Sequence, residues 1–337
     1  QTFRGAILML ALVEDRDVWA GAEYTRKCLD PIMDFLREEN VTEILINRPN
    51  EVFVERLGEN QMKVYSLPEA DRDWIERLCF SVAGTTGQQV NKEMPILSAT
   101  LPSGERFQCT LDSVAPEGGA ISIRKQVIKD MSLDGYEQAG AFGSVRTDNQ
   151  LGRSDDEKTL RDLIIRGNIK DVLRFAVRKR VSIVVSGGTA TGKTTFFNAL
   201  LKEIPEHERL VTIEDAKELQ SPLRNTLSLL VSKGDQGMAR VTAQQLLEAS
   251  LRMRPDRILL GELRGAEAFT FLQAVNTGHP GSITSVHANT PRAAYQRLAL
   301  MVMQSGVDLT QEQLINYLEE TIPLVVQLAR GIDGKRY

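Results

Sequence analysis

One run of residues carries chemistry in its spacing. Gly187-Gly188-Thr189-Ala190-Thr191-Gly192-Lys193-Thr194 fits G-x-x-x-x-G-K-[ST], between the apolar stretch Val181–Ser186 and a helix predicted from about Lys193. A loop of successive backbone N–H groups at that position wraps a β-phosphate, and the helix N-terminus behind it adds partial positive charge. Lys193 then reaches the β/γ-phosphates, Thr194 offers its hydroxyl to Mg²⁺, and Thr195 faces the α-phosphate. The implied ligand is ATP with Mg²⁺.

Two further segments bring acids towards such a loop. Arg257-Ile-Leu-Leu-Gly-Glu262 reads as a buried strand with a carboxylate at its C-terminal end, the ligand side of an open parallel sheet. The position before it, where many such enzymes carry Asp, is Gly261, so Glu262 is left to serve both metal and water. Leu210–Ile213 runs into Glu214 and Asp215, which either join the site or only cap the next segment. Around the strand at 282–286 lie two of the three histidines. His287, at the C-terminal end, is the γ-phosphate sensor of choice, whereas His279 precedes the strand and equally suits a turn. No acid or cysteine follows them at ligand spacing, which argues against a metal site. Arg252, Arg254 and Arg264 flank the Glu262 strand. Arg106 and Arg124 lie far upstream and read, by themselves, as surface arginines.

The elements that must hold these residues fall into two groups. Residues 29–130 mix helices predicted over 31–39 and 69–88 with short strands at 43–47, 51–55, 106–110 and 120–124, an α+β domain. From 131 to 156 apolar periodicity fades and Gly135, Gly140, Gly143 and Gly152 accumulate, as in a linker. Residues 157–337 alternate strands (181–185, 210–213, 227–231, 257–260, 282–286) with helices, the rhythm of a mainly parallel sheet covered on both faces. Leu324–Leu328 is also strand-like. The fold class is therefore α/β with a smaller N-terminal α+β domain.

Composition narrows the function. With 41 Lys+Arg against 45 Asp+Glu, the net charge of −4 offers no global attraction for nucleic acid. Arg178-Lys179-Arg180 reads best as a solvated helix end. Cys28, Cys79 and Cys109 form no C-x-x-C pattern and fit a reducing cytosol. Gly5–Val13, an apolar run of nine, is too short to span a bilayer; within an N-terminal helical segment at 1–28 it suits packing, oligomer contact or peripheral membrane contact. The chain opens on Gln1 and stops soon after the strand at 324–328, so both ends are expected to continue.

Taken together, the motifs resemble the secretion traffic ATPases. The phosphate loop, Ile213-Glu214-Asp215, Leu260-Gly-Glu262-Leu-Arg264, and Gly278-His279 through His287-Ala288 occur in the order of that family's Walker A, Asp, atypical Walker B and His boxes. Ile44–Pro49, Leu101–Arg106 and Ile121–Lys125 resemble its N-terminal domain, so the likeness runs almost end to end. Within the family the VirB-type ATPases of type IV secretion are most similar. A four-cysteine zinc element that marks type II secretion and pilus-assembly relatives is absent from the sequence; pilus-retraction motors, which also lack it, stay open.

The resemblance implies a RecA-like P-loop domain and a homohexameric ring at the cytoplasmic face of the inner membrane. It further implies other type IV secretion components as partners, inner-membrane ATPases included, and ATP hydrolysis that drives pilus biogenesis and substrate transfer, as in conjugation. It also implies γ-phosphate contacts for Arg106 and Arg124 and a nucleotide contact for Arg254. The expected mechanism has Glu262 and Glu214 activating water, and arginines closing on the γ-phosphate as the N-terminal domain swings. One departure is Ala190, where the family commonly has Gly; either that position does not need a positive φ or the loop is reshaped. A DNA-translocating RecA-like motor and an ATP-binding scaffold with little turnover are the competing functions.

Overall fold

The computed structural model describes residues 18–127, 132–138, 140, 155–232 and 239–330. The apolar run Gly5–Val13 and most of the expected linker lie outside the described residues. Within 131–156 the described parts are a helix, Leu133–Gln138, and the start of another, Asp155–Ile165.

Alternating apolar and polar residues build the first sheet, which is antiparallel. Its strands are β1 (Val41–Ile46), β2 (Glu51–Arg56), β3 (Lys63–Ser66), β4 (Ile96–Thr100), β5 (Arg106–Thr110) and β6 (Ala120–Arg124), in the order β3-β2-β1-β6-β5-β4. Ile44, Ile46, Val54, Phe107, Cys109 and Ile123 share a core with Trp74, Ile75, Leu78 and Val82 of the helix Arg72–Thr85. Asp71 caps that helix, accepting from Trp74 N at 2.6 Å, which starts it later than the predicted 69. The predicted helix over 31–39 is a 3₁₀ turn, Asp30–Ile32, followed by Met33–Arg37. The opposite face of the sheet is polar, and the register sets Glu43 and Arg106 each opposite Arg124, and Gln108 opposite Ser98 and Ser122.

All pairings in the second sheet are parallel. Its strands are β7 (Ile183–Gly187), β8 (Leu210–Glu214), β9 (Thr226–Leu230), β10 (Arg257–Leu260), β11 (Ile283–Val286) and β12 (Leu324–Leu328), in the order β12-β7-β11-β10-β8-β9. Strands β7, β8, β10 and β11 are buried along their whole length, as a sheet covered by helices on both faces requires. One cover includes Phe271 and Leu272 of Glu267–Asn276 with Leu298 and Val302 of Pro291–Met303; the other includes Phe197 and Leu201 of Lys193–Leu201 with Ala176 and Val177 of Ile169–Arg178.

The polar face of the first sheet meets the N-terminal edge of the second. Arg209, 1% exposed, donates from Nη1 to Asn47 Oδ1 at 2.6 Å and Asn225 Oδ1 at 2.7 Å, and from Nε to Met253 O at 2.8 Å. Burial pulls its pKa down to about 10, which leaves it charged at neutral pH. Arg254 pairs with Glu55 at 2.5 Å and Arg224 with Glu51 at 3.0 Å. A second buried arginine, Arg257, grips Glu208 through Nε at 2.5 Å and Nη2 at 2.9 Å.

Removing one partner of such a buried pair strands the other's charge, at a cost of about 3–5 kcal/mol. Arg257→Met is expected to lower the chemical-denaturation midpoint accordingly, and Arg257→Met combined with Glu208→Leu to regain most of that loss.

Candidate functional site: a phosphate cleft at the C-terminal end of the parallel sheet

Because the strands of the second sheet run the same way, the segments leaving β7, β8, β10 and β11 converge at one end. There they enclose a cleft of about 350 Å³ lined by Ala190–Thr195, Glu214, Glu218, Glu262 and His287 among others. Residue types explain the loop's shape. A Cβ on Gly187 would lie 2.5 Å from Thr191 Oγ1 and 3.0 Å from Leu328 O, so any side chain there would force the loop's Thr191 to shift. Gly192 takes φ +91° as it opens the helix Lys193–Leu201, whose first N–H groups then face the cleft. Ala190 also has a positive φ, +61°. The position therefore does adopt the left-handed conformation, and alanine bears a strain of about 1 kcal/mol that glycine would not.

Lys193 Nζ donates to Gly187 O at 2.9 Å and Gly188 O at 3.2 Å, which holds the ammonium across the loop. Partial burial lowers its pKa, while the charge of Glu262 acts the other way. The same Nζ lies 3.2 Å from His287 Nδ1, and His287 Nε2 lies 3.3 Å from Glu262 Oε1. Glu262 Oε2 accepts from Arg264 Nη2 at 2.9 Å, and Arg264 in turn pairs with Asp215. Cation and carboxylate thus alternate across the cleft, from Lys193 through Glu262 to Arg264 and Asp215.

The strands aim these groups. Gly261 N donates to Ile213 O at 2.9 Å and Gly261 O accepts from Ser285 Oγ at 2.7 Å, which pins the backbone beside Glu262 to both neighbouring strands. A Cβ at 261 would come within 3.3 Å of Glu214 Cγ, so an aspartate there would compete with Glu214 for space. Glu214 Oε1 accepts from Glu218 N at 2.9 Å and Leu219 N at 2.7 Å, capping the segment after β8. Its Oε2 is buried without a partner among the described residues, and burial raises the pKa of Glu214. Glu214 therefore caps and lines the cleft at once.

Sequence reasoning passed over Glu218, whose Oε2 accepts from Thr194 Oγ1 at 2.9 Å. Asn198 holds the same segment, donating to Glu218 O at 3.1 Å and accepting from Gln220 N at 2.8 Å. The available signal was a third acid four residues after Glu214. His279, by contrast, serves a turn: its Nδ1 lies 2.9 Å from Pro255 O, near the start of β10.

Arg106, Arg124 and Arg254 are not brought to this cleft within one chain. Arg254 precedes β10 and is held by Glu55 and Asp256 at the sheet's opposite edge. Arg106 and Arg124 line a separate cavity with Leu251 and Arg252, which also precede β10.

Comparisons with known proteins fit this geometry. The Type II/IV secretion system protein family matches residues 159–335. The type IV secretion system protein VirB11 of Bartonella henselae is 38% identical over 320 residues, covering 91% of this chain and 89% of that one. The chain belongs to the VirB11 family of type IV secretion proteins. VirB11 of Brucella suis is 38% identical over 313 residues, covering 91% of this chain and 86% of the relative. The crystal structure of the VirB11 ATPase from the Brucella suis type IV secretion system, in complex with sulphate, matches with a TM-score of 0.88 at 36% identity, covering 96% and 95% of the two chains. The α/β fold with one parallel and one antiparallel sheet is thus a VirB11 fold. The described residues include no helix long and apolar enough to cross a membrane.

The strained alanine gives a sharp test. Ala190→Val, β-branched at a positive φ, is expected to weaken ATP binding at least about tenfold in a fluorescent-nucleotide titration, whereas Ala190→Gly stays within about threefold of the parent.

Proposed function

We propose that this chain is the ATP-hydrolysing motor of a type IV secretion machine, assembled as a homohexameric ring. The observation that carries the proposal is the meeting of Lys193, Thr194, Glu262 and His287 in one cleft at the C-terminal end of a parallel sheet.

In this reading the loop N–H groups and Lys193 hold the β- and γ-phosphates of ATP. Glu262 accepts a proton from the attacking water, and its contacts to His287 and Arg264 fix the carboxylate's orientation. His287, between Lys193 and Glu262, reports the γ-phosphate to the catalytic base. Glu214 holds the segment that carries Glu218 beside Thr194. Mg²⁺, where bound, neutralises charge on the β/γ oxygens. The donor set fits it, because Thr194 and the nearby carboxylates supply only oxygen. No group of three or more His, Cys, Asp or Glu side chains able to hold a metal occurs among the described residues. Thr194, and Glu262 through water, are the residues that would hold the ion.

Arg106 and Arg124 sit at the other end of the sheet from their own chain's cleft. For them to touch a γ-phosphate, the nucleotide must belong to a neighbouring subunit, which places ATP between copies and couples hydrolysis to ring movement. Pilus biogenesis, substrate transfer as in conjugation, contact with the inner-membrane ATPases of the machine, and a peripheral place at the inner membrane complete the proposal. They rest on family membership.

The test is ATP turnover of the purified chain. Glu262→Gln is expected to lower kcat by about 10²-fold or more while nucleotide still binds, and Lys193→Ala to lose both. Unchanged turnover in a folded Glu262→Gln chain would refute the assignment of Glu262.

A further inference from the structure

The cavity that holds Arg106 and Arg124 has about 540 Å³ between the polar face of β4–β6 and the Leu251–Arg252 turn. Its charged and amide groups are one-sided. Arg106, Arg124 and Arg252 all line it, and Arg106 and Arg124 are direct cross-strand neighbours, a like-charge pairing that costs energy unless an anion lies between. Arg124 has a carboxylate partner, Glu43, at 2.6 Å, whereas no carboxylate pairs with Arg106 or Arg252 among the described residues.

Gln108, two residues along β5 from Arg106 and opposite Ser122, lines the same cavity and is 2% exposed. Ser98, its neighbour on β4, donates its hydroxyl to Gln108 Oε1 at 2.5 Å. The other end, Nε2, has no partner among the described residues. A glutamine kept only for packing would use both ends of its amide, since an unmet buried donor is costly. Gln108 lines a cavity whose three charged side chains are all cations, and the ligand that suits such a set is rich in acceptors and negatively charged.

We propose that Gln108 is a phosphate-contacting residue: its Nε2–H group donates to a terminal phosphoryl oxygen of ATP held by a neighbouring chain, between Arg106 and Arg124, with Ser98 as its positioning residue. The proposal rests on the reading that this cavity meets a neighbour's nucleotide. The same chemistry would accept free inorganic phosphate, so the test separates the two sources.

Full-length chain is titrated calorimetrically with AMP-PNP, with ADP and with inorganic phosphate alone. Gln108→Ala is expected to weaken AMP-PNP binding about tenfold and leave ADP within twofold, because only the γ-phosphate loses a donor. Ser98→Ala should shift the same ratio in the same direction by less, and the melting temperature should stay near that of the parent. Equal losses for AMP-PNP and ADP, or no loss for either, would overturn the role of Gln108. Arg106→Ala distinguishes the failures. If it lowers the AMP-PNP/ADP ratio while Gln108→Ala does not, only Gln108 is misassigned; if neither moves the ratio, the cavity does not meet a nucleotide. Binding of inorganic phosphate that disappears in Gln108→Ala, with the ratio unmoved, would make free phosphate the ligand and refute the nucleotide assignment.

Discussion

The parallel sense of the second sheet is the constraint on which the rest depends. Six strands pointing one way put the outgoing ends of β7, β8, β10 and β11 side by side. Residues separated by up to about a hundred positions, from Ala190 to His287, thereby share one cleft. The same constraint sends the segments before β8 and β10, with Arg209, Arg252, Arg254 and Arg257, to the opposite edge. There the antiparallel sheet docks through its polar face.

That division gives the two edges different chemistry. The outgoing edge mixes one lysine with several carboxylates, a set matched to polyphosphate and a hard cation. The incoming edge buries Arg209 among neutral acceptors and ties Arg254 and Arg224 to Glu55 and Glu51, so the contact between sheets is a polar seam. Seams of this kind resemble transient interfaces more than cores and suit parts that move relative to each other. Arg106 and Arg124 stay clear of the seam's tight pairs, with Arg124 54% exposed.

Much of this was legible in the sequence, for reasons that differ between elements. The strand at 257–260 was read to its limits because Ile258, Leu259 and Leu260 are uninterrupted and buried on both faces. β3 was missed because, as an exposed edge, Lys63–Ser66 has almost no apolar alternation; β4 was missed because Ser98 and Thr100 face the polar side and leave little apolar signal. The phosphate loop was readable from glycine spacing alone, yet the left-handed Ala190 was not, since alanine does not advertise a positive φ. The choice between a capping and a functional Glu214 had no answer in sequence, because the cap occupies only one oxygen of the carboxylate, Oε1, and leaves Oε2 open to another use. Gln108 carried no signal either: its meaning lies in the partner it lacks.

The central claim is that each cleft is completed by arginines from another copy of the chain. Mixing two inactive variants, Arg106→Ala and Lys193→Ala, tests it most directly, with light scattering to verify that mixed assemblies form. The account predicts that the mixture hydrolyses ATP where neither variant does alone, since an intact loop from one chain meets an intact Arg106 from the other. A mixed assembly with no turnover would contradict it and would put Arg106 and the loop to work within a single chain.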